Sequence, residues 1–180
     1  MRIISGSHKG RSVFPDKNFS ARPTTDFAKE SLFNVLNNYV SIEDAIVLDL
    51  FAGTGSISYE FSSRGAGEVI TVEQNYKHYI FIKKTAEQLG LKAIKVYKND
   101  AFAACKKLKG RKFNIIFADP PYTLSNISDI PAAIFDNHLL ALDGIAVIEH
   151  PRTLDFRSHP FFFEQRQYGS VNFSLFHCCS

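Results

Sequence analysis

From residue 45 onward the chain repeats one pattern. A short, almost unbroken apolar run is followed by a break and then by a segment whose apolar residues recur at helical spacing. The pattern predicts strands over 45–50, 68–73, 93–97, 113–118 and 144–149, and helices over 57–63, 76–89, 101–108 and 130–139. Strands that are apolar on both faces, alternating with helices, are expected in a parallel sheet covered on each side. Past residue 150 the helical spacing stops. Two β-prone runs, 161–168 and 171–177, then flank Gly169-Ser170, an antiparallel hairpin signal. The expected fold class is α/β: a doubly wound, mostly parallel, seven-stranded sheet ending in an antiparallel hairpin.

The first 44 residues do not follow this pattern. Runs at 2–5 and 11–14 around Gly6 and Gly10 predict a small N-terminal β-hairpin extension. A helix is expected from Thr24, Thr25 or Asp26, with Phe27, Leu32, Phe33, Leu36, Tyr39 and Val40 on its apolar face. The length of 180 residues suits a single domain over 1–180, with 1–23 as a basic arm. Arg2, Lys9, Arg11, Lys17 and Arg22 face only Asp16 in that arm, whereas the whole chain carries just +3. A local excess of this kind suits a polyanion such as RNA, although charge alone leaves a solvated basic terminus equally open. No apolar run approaches the ~20 residues of a membrane span, and the opening residues lack the apolar stretch of a signal peptide. Cys105, Cys178 and Cys179 form no C-x-x-C pair, and the six histidines show no metal-ligand spacing. A cytoplasmic, monomeric protein without a metal is expected.

The first strand runs into Asp49-Leu50-Phe51-Ala52-Gly53-Thr54-Gly55. Glycines here allow a sharp turn and a close approach of ligand to the following helix. Glu73 ends the second strand, 20 residues after Gly53, where a carboxylate accepts from a ribose diol; Gln74 follows it. Asn99-Asp100-Ala101 follows the third strand, with Asp100 positioned to accept from an adenine amino group or to cap a helix. Asp49 argues against a dinucleotide, because a carboxylate repels pyrophosphate and attracts a sulfonium or ammonium. The candidate cofactor residues are therefore Asp49, Phe51, Gly53, Gly55, Glu73, Gln74, Asp100 and Ala101, and the expected cofactor is S-adenosylmethionine.

The fourth strand runs into Asp119-Pro120-Pro121-Tyr122. Prolines fix the backbone and lack N–H donors, so their carbonyls remain as acceptors. An exocyclic amino nitrogen of a base is a poor nucleophile because its lone pair is delocalised into the ring. Asp119 and the Pro120 carbonyl offer two convergent acceptors for its N–H groups, and Tyr122 offers a face on which the base stacks. Asp119, Pro120, Pro121 and Tyr122 are the candidate catalytic residues. Their base must be unpaired or flipped to reach them.

Together, D-L-F-A-G-T-G and D-P-P-Y resemble amino-methyltransferases of nucleic-acid bases, with a Rossmann-like class I fold. The segments Arg2-Ile3-Ile4-Ser5-Gly6, Lys9-Gly10-Arg11 and Arg22-Pro23-Thr24-Thr25-Asp26 are similar to the opening of the RsmD-type family. Ser63-Arg64-Gly65-Ala66, Ile148-Glu149-His150 and Arg166-Gln167-Tyr168-Gly169 extend the resemblance over the whole chain. It implies methylation of guanine N2 in 16S ribosomal RNA, within a small subunit or an assembly intermediate. It also implies substrate contacts from Lys9, Arg11, Arg22, Pro23, Thr24 and Thr25. Two positions depart from the family: Thr85, where relatives often carry Asn, and Ser7-His8, which lacks a frequent aromatic.

The rival readings are a DNA adenine-N6 or cytosine-N4 methyltransferase, a protein glutamine methyltransferase and a noncatalytic RNA-binding Rossmann module. No insertion for target recognition separates the α/β units, the glutamine enzymes' motif resembles N-P-P-Y, and a decayed module has no need of every cofactor carboxylate. The basic run 106–112 precedes the fourth strand, so it is expected at the sheet end opposite D-P-P-Y, as a solvated loop. His150 is expected to be structural.

Overall fold

The computed structural model describes residues 1–15, 25–169 and 171–178. The strands are β1 (Ile46–Asp49), β2 (Glu68–Glu73), β3 (Ile94–Lys98), β4 (Phe113–Ala118), β5 (Leu140–His150), β6 (Phe162–Tyr168) and β7 (Val171–His177). They form one sheet in the order β3-β2-β1-β4-β5-β7-β6. Pairing is parallel from β3 across to β5; β7 is antiparallel to both β5 and β6. The chain order reverses between β1 and β4, and in an open α/β sheet that switch point leaves a crevice above the strand carboxyl ends.

Helices α1 (Asp26–Leu36), α2 (Ser56–Ser63), α3 (Tyr76–Leu89), α4 (Ala101–Lys107) and α5 (Ile130–Phe135) cover the sheet. Val47, Val69, Ile115 and Val147 pack against Leu32 and Leu36 of α1 and Phe61 of α2. Leu48, Ile70, Ile116 and Ile148 pack on the other face with Cys105 of α4 and Ile134 of α5. Burial on both faces is why these strands read as unbroken apolar runs. Local signals set the helix ends. The Thr25 hydroxyl accepts from the Ala28 N–H and starts α1. Asn75 accepts from the Lys77 and His78 N–H groups to start α3, which Gly90 ends.

Two expectations need correction. The strand expected over 144–149 begins at Leu140, and the helix expected over 130–139 stops at Phe135. Asn137 Nδ2 donates to the Ala133 carbonyl and His138 takes φ 53°, so the chain turns out of the helix there. Asp143-Gly144 lies in an irregularity of β5: Phe113 pairs with Leu140 and Ile115 with Ile145.

The small N-terminal hairpin is present, with one antiparallel bridge, Arg2 with Ser12. Its arms pair through Ile3 N–H to the Arg11 carbonyl, Gly10 N–H to the Ile3 carbonyl and Val13 N–H to the Met1 carbonyl, while the Ile4, Ser5 and Ser7 amides between them bond to the body of the protein. Ile4 and Ser5 N–H donate to the Glu60 carboxylate at 2.8 and 2.9 Å, and Ser7 N–H donates to the Ser63 carbonyl at 2.7 Å. Glu60 is fully buried; it also accepts from Arg64 Nε at 2.8 Å and lies 3.9 Å from the buried Lys29 ammonium. Burial pulls the Lys29 pKa down, and Glu60 opposes that shift. Gly6 sits at φ +80° against Ser63, where a Cβ atom would come within 1.8 Å of the carbonyl oxygen. The hairpin tip is thus clamped to the C-terminus of α2. That helix spans about 12 Å, so the tip sits far from the Gly53–Gly55 turn. The base of the hairpin lies beside the turn, where Thr54 Oγ1 donates to the Met1 sulfur at 3.2 Å.

Candidate functional site

A cavity of about 600 Å³ opens at the carboxyl ends of β1, β2, β3 and β4. Asp49, Phe51, Gly53, Glu73, Gln74, Asp100 and Ala101 line it together with Asp119, Pro120, Pro121, Tyr122 and Thr25. Two sets of candidates from separate parts of the chain therefore share one enclosure. Each strand delivers its residues at the point where its hydrogen-bonded ladder ends.

Asp49 is buried, 1% exposed. Ser58 donates to Asp49 Oδ2 at 2.6 Å, and Thr71 donates to Ser58 at 2.9 Å. Asp49 Oδ1 and the Ser56 hydroxyl are also buried, and neither has a hydrogen-bond partner among the described residues. Both residues line the cavity. Unpaired buried polar atoms are rare in native proteins, and here they face the space where a ligand fits. Burial pushes the Asp49 carboxyl up to about 7; the Ser58 hydrogen bond and the Phe51 backbone N–H oppose that shift and the Glu73 charge adds to it.

Glu73 accepts from Gly53 N–H at 2.8 Å through one oxygen and from Asn75 N–H at 2.6 Å through the other. A carboxylate has about four acceptor sites, so two backbone bonds aim it while leaving capacity for a diol. Asp100 caps α4, its Oδ1 accepting from Ala103 N–H at 2.9 Å. The cap and the cavity wall are the same residue.

Beyond the end of β4, the strand next to β1, Asp119 is half-buried, Pro120 buried and Tyr122 43% exposed. Leu124 N–H donates to the Pro121 carbonyl at 2.8 Å and closes the turn. The Tyr122 hydroxyl donates to Glu149 Oε1 at 3.2 Å, which ties the ring to β5.

Not every candidate lines the cavity. Gly55 is absent from the wall. At φ 80° it is the residue before α2, and a Cβ there would meet the Tyr59 ring at 2.7 Å. Lys9 and Arg11 are exposed on the hairpin, outside the lining. Arg22, Pro23 and Thr24 lie outside the described residues. Thr25 lines the wall and caps α1. The candidate set from the sequence leaves out Ser58, Thr71, Ser56, His78 and Glu149. Ser58 occupies the third position of the G-x-G-x-x-G frame, and its hydroxyl there was the available signal.

The remaining landmarks lie where expected. Arg111 and Lys95 both pair with Glu68, which opens β2, so the basic run sits at the amino ends of the parallel strands. Hydrogen bonding from Lys95, helped by Arg111, keeps the Glu68 carboxyl below the ordinary carboxylate range. His150 is buried, bonding Ser174 at 2.8 Å and the Pro151 carbonyl at 3.0 Å. Burial lowers its pKa, consistent with a structural role.

Comparisons with known proteins agree with this layout. The family model described as "Conserved hypothetical protein 95" matches residues 1–177. YlbH of Bacillus subtilis is 40% identical over 160 residues, 86% of this chain and 85% of that protein. Ribosomal RNA small subunit methyltransferase D of Escherichia coli is 32% identical over 149 residues, 83% and 74% of the two chains. The solved structure of Escherichia coli yhhF superposes with a TM-score of 0.85 at 28% identity, covering 100% of this chain and 99% of that one. The chain belongs to this family, the RsmD-type methyltransferases.

Proposed function

We propose that the protein transfers a methyl group from S-adenosylmethionine to the exocyclic N2 amine of a guanine in small-subunit (16S) ribosomal RNA. The observation that carries this reading is a single cavity lined both by a buried carboxylate with an unpartnered oxygen, Asp49, and by the Asp119–Tyr122 acceptors at the next strand end. The name of the Escherichia coli relative supports ribosomal RNA as the substrate.

The residues present suit the donor. Asp49 Oδ1 offers an anionic acceptor to its cationic part, Ser56 a hydroxyl, and Glu73 a carboxylate already aimed by two backbone bonds. Asp100 and Ala101 lie on the same wall beyond Glu73, on the side assigned to adenine. S-adenosylmethionine, when bound, supplies an electrophilic methyl on a good leaving group.

The acceptor wall does the rest. Asp119 and the Pro120 carbonyl accept the two N–H bonds of the amine, so that its lone pair turns towards the donor side. Tyr122, held by Glu149, fixes the base plane by stacking. Asp119 stabilises the positive charge that grows on the nitrogen and receives the proton shed after alkylation. Alignment of this kind lowers a barrier by up to ~7–11 kcal/mol.

Glu73→Ala is expected to weaken S-adenosylmethionine binding at least ten-fold, because charge-assisted hydrogen bonds are worth about 1.5–3 kcal/mol each. Unchanged affinity by calorimetry would remove Glu73 from the ribose role. Substrate class is tested by offering labelled S-adenosylmethionine with undermethylated small subunits, their extracted RNA and duplex DNA. Label should enter the ribosomal RNA; label in DNA alone would overturn the reading.

A further inference from the structure

We propose that Phe14 and Phe27 form an aromatic shelf at the cavity mouth, on which unpaired nucleobases flanking the methylated one stack. The inference rests on RNA being the substrate. Phe14 is 80% exposed and Phe27 65%, the highest values among the exposed large hydrophobic residues described. Both belong to elements that reach the same rim. Phe27 lies in the first turn of α1, between Thr25 and Ala28, which line the cavity. Phe14 follows Val13, whose N–H donates to the Met1 carbonyl at the hairpin base. Met1 in turn touches Thr54, another lining residue. Arg2 ties the two elements together: its guanidinium pairs with Asp26 of α1 at 3.2 Å, and its carbonyl accepts from Lys29 Nζ at 2.7 Å.

Charge completes the shelf. Arg2, Lys9 and Arg11 are exposed along the hairpin, from its base to its tip. A cationic track carrying aromatic faces suits single-stranded nucleic acid: cations follow the phosphates while rings take the bases. A base drawn into the pocket leaves its neighbours without a stacking partner, and the two rings replace that lost contact. Phe14 and Phe27 are thus positioning residues, remote from the reacting atoms. The arrangement also gives the hairpin's base, and not its tip, the role nearest the chemistry.

The test uses the full chain with Phe14→Leu, Phe27→Leu, the double variant and the Phe→Tyr pair. Leucine keeps most of the apolar area and removes the π-face; tyrosine keeps the ring. The probe is a single-stranded oligoribonucleotide with 2-aminopurine beside the target guanine, whose emission falls on stacking. The double leucine variant should lose the quenching and raise KM for small-subunit RNA about ten-fold or more. Its kcat at saturating RNA and its affinity for S-adenosylmethionine should be unchanged, and the tyrosine variants should behave as wild type. Leucine variants with wild-type quenching and KM, while RNA methylation proceeds, overturn the shelf. A wild-type protein that quenches the probe through these rings yet methylates no RNA keeps the shelf and sinks the functional reading.

Discussion

Asp119→Ala is expected to abolish methyl transfer, with a fall in kcat of roughly 10³-fold or more, while S-adenosylmethionine still binds. Loss of one preorganised charge-stabilising group costs about 10²–10³ in rate. In the proposed role Asp119 also orients the amine, and misorientation adds to that loss. Cofactor affinity should change little because the acceptors proposed for the donor, Asp49 and Glu73, lie at the ends of β1 and β2, not on the β4 loop. Asn at the same position keeps one acceptor oxygen but no charge, so Asp119→Asn should recover only part of the rate. Single-turnover kinetics with saturating cofactor give the chemical step directly, and calorimetry gives the affinity. Near-normal turnover in the alanine variant would remove Asp119 from the chemistry.

S-adenosylmethionine affinity is expected to rise with pH up to about 7 and then level off. Burial holds the Asp49 carboxyl at about 7, so the residue is largely protonated below that value and lacks the charge a cation needs. Affinity should therefore fall close to ten-fold per pH unit below 7, the slope of a single required deprotonation. The same shift has the opposite consequence for the ligand-free fold. A raised carboxyl pKa means that the folded chain holds a proton the unfolded chain has released. This group's contribution to stability is fully present below the unfolded pKa and is lost as pH rises through 7, a loss of about 4 kcal/mol. Asp49→Asn keeps a partner for Ser58 and removes the titration. It should flatten both profiles, weaken binding at pH 8 and raise the ligand-free melting temperature there. Calorimetric titrations and thermal unfolding at pH 6 and 8 read both effects. A wild-type affinity that is flat between those values would contradict the assignment.

The parallel sheet was legible because its strands are buried on both faces and bounded by turn residues. β2, α3, β4 and β7 begin and end where patterning and caps place them. The carboxylates of the cavity were legible for a related reason: Asp49, Glu73, Asp100 and Asp119 each end a strand or follow one. Other features depend on partners distant in sequence. Nothing in the local sequence marks Glu60 as buried, yet it sits fully buried among two hairpin amides, Arg64 and Lys29. Ser58 reads as a neutral replacement for a small residue, yet it orients Asp49. Gly55 reads as a ligand contact, yet its neighbours are Tyr59 and Ile82. Local sequence also could not tell which end of the hairpin reaches the cavity, because that depends on the clamp between Ser7 and Ser63.

The site at which the methyl group arrives tests the account most directly. The Asp119 and Pro120 acceptors suit any exocyclic amine, so guanine N2, adenine N6 and cytosine N4 are separated only by what else the RNA-binding surface selects. Undermethylated small subunits treated with the protein and deuteromethyl-labelled S-adenosylmethionine should be digested to nucleosides and resolved by mass spectrometry. One labelled nucleoside is expected, N2-methylguanosine, absent with Asp119→Ala. Label in N6-methyladenosine or N4-methylcytidine, or in a ring-nitrogen methylguanosine, would contradict it.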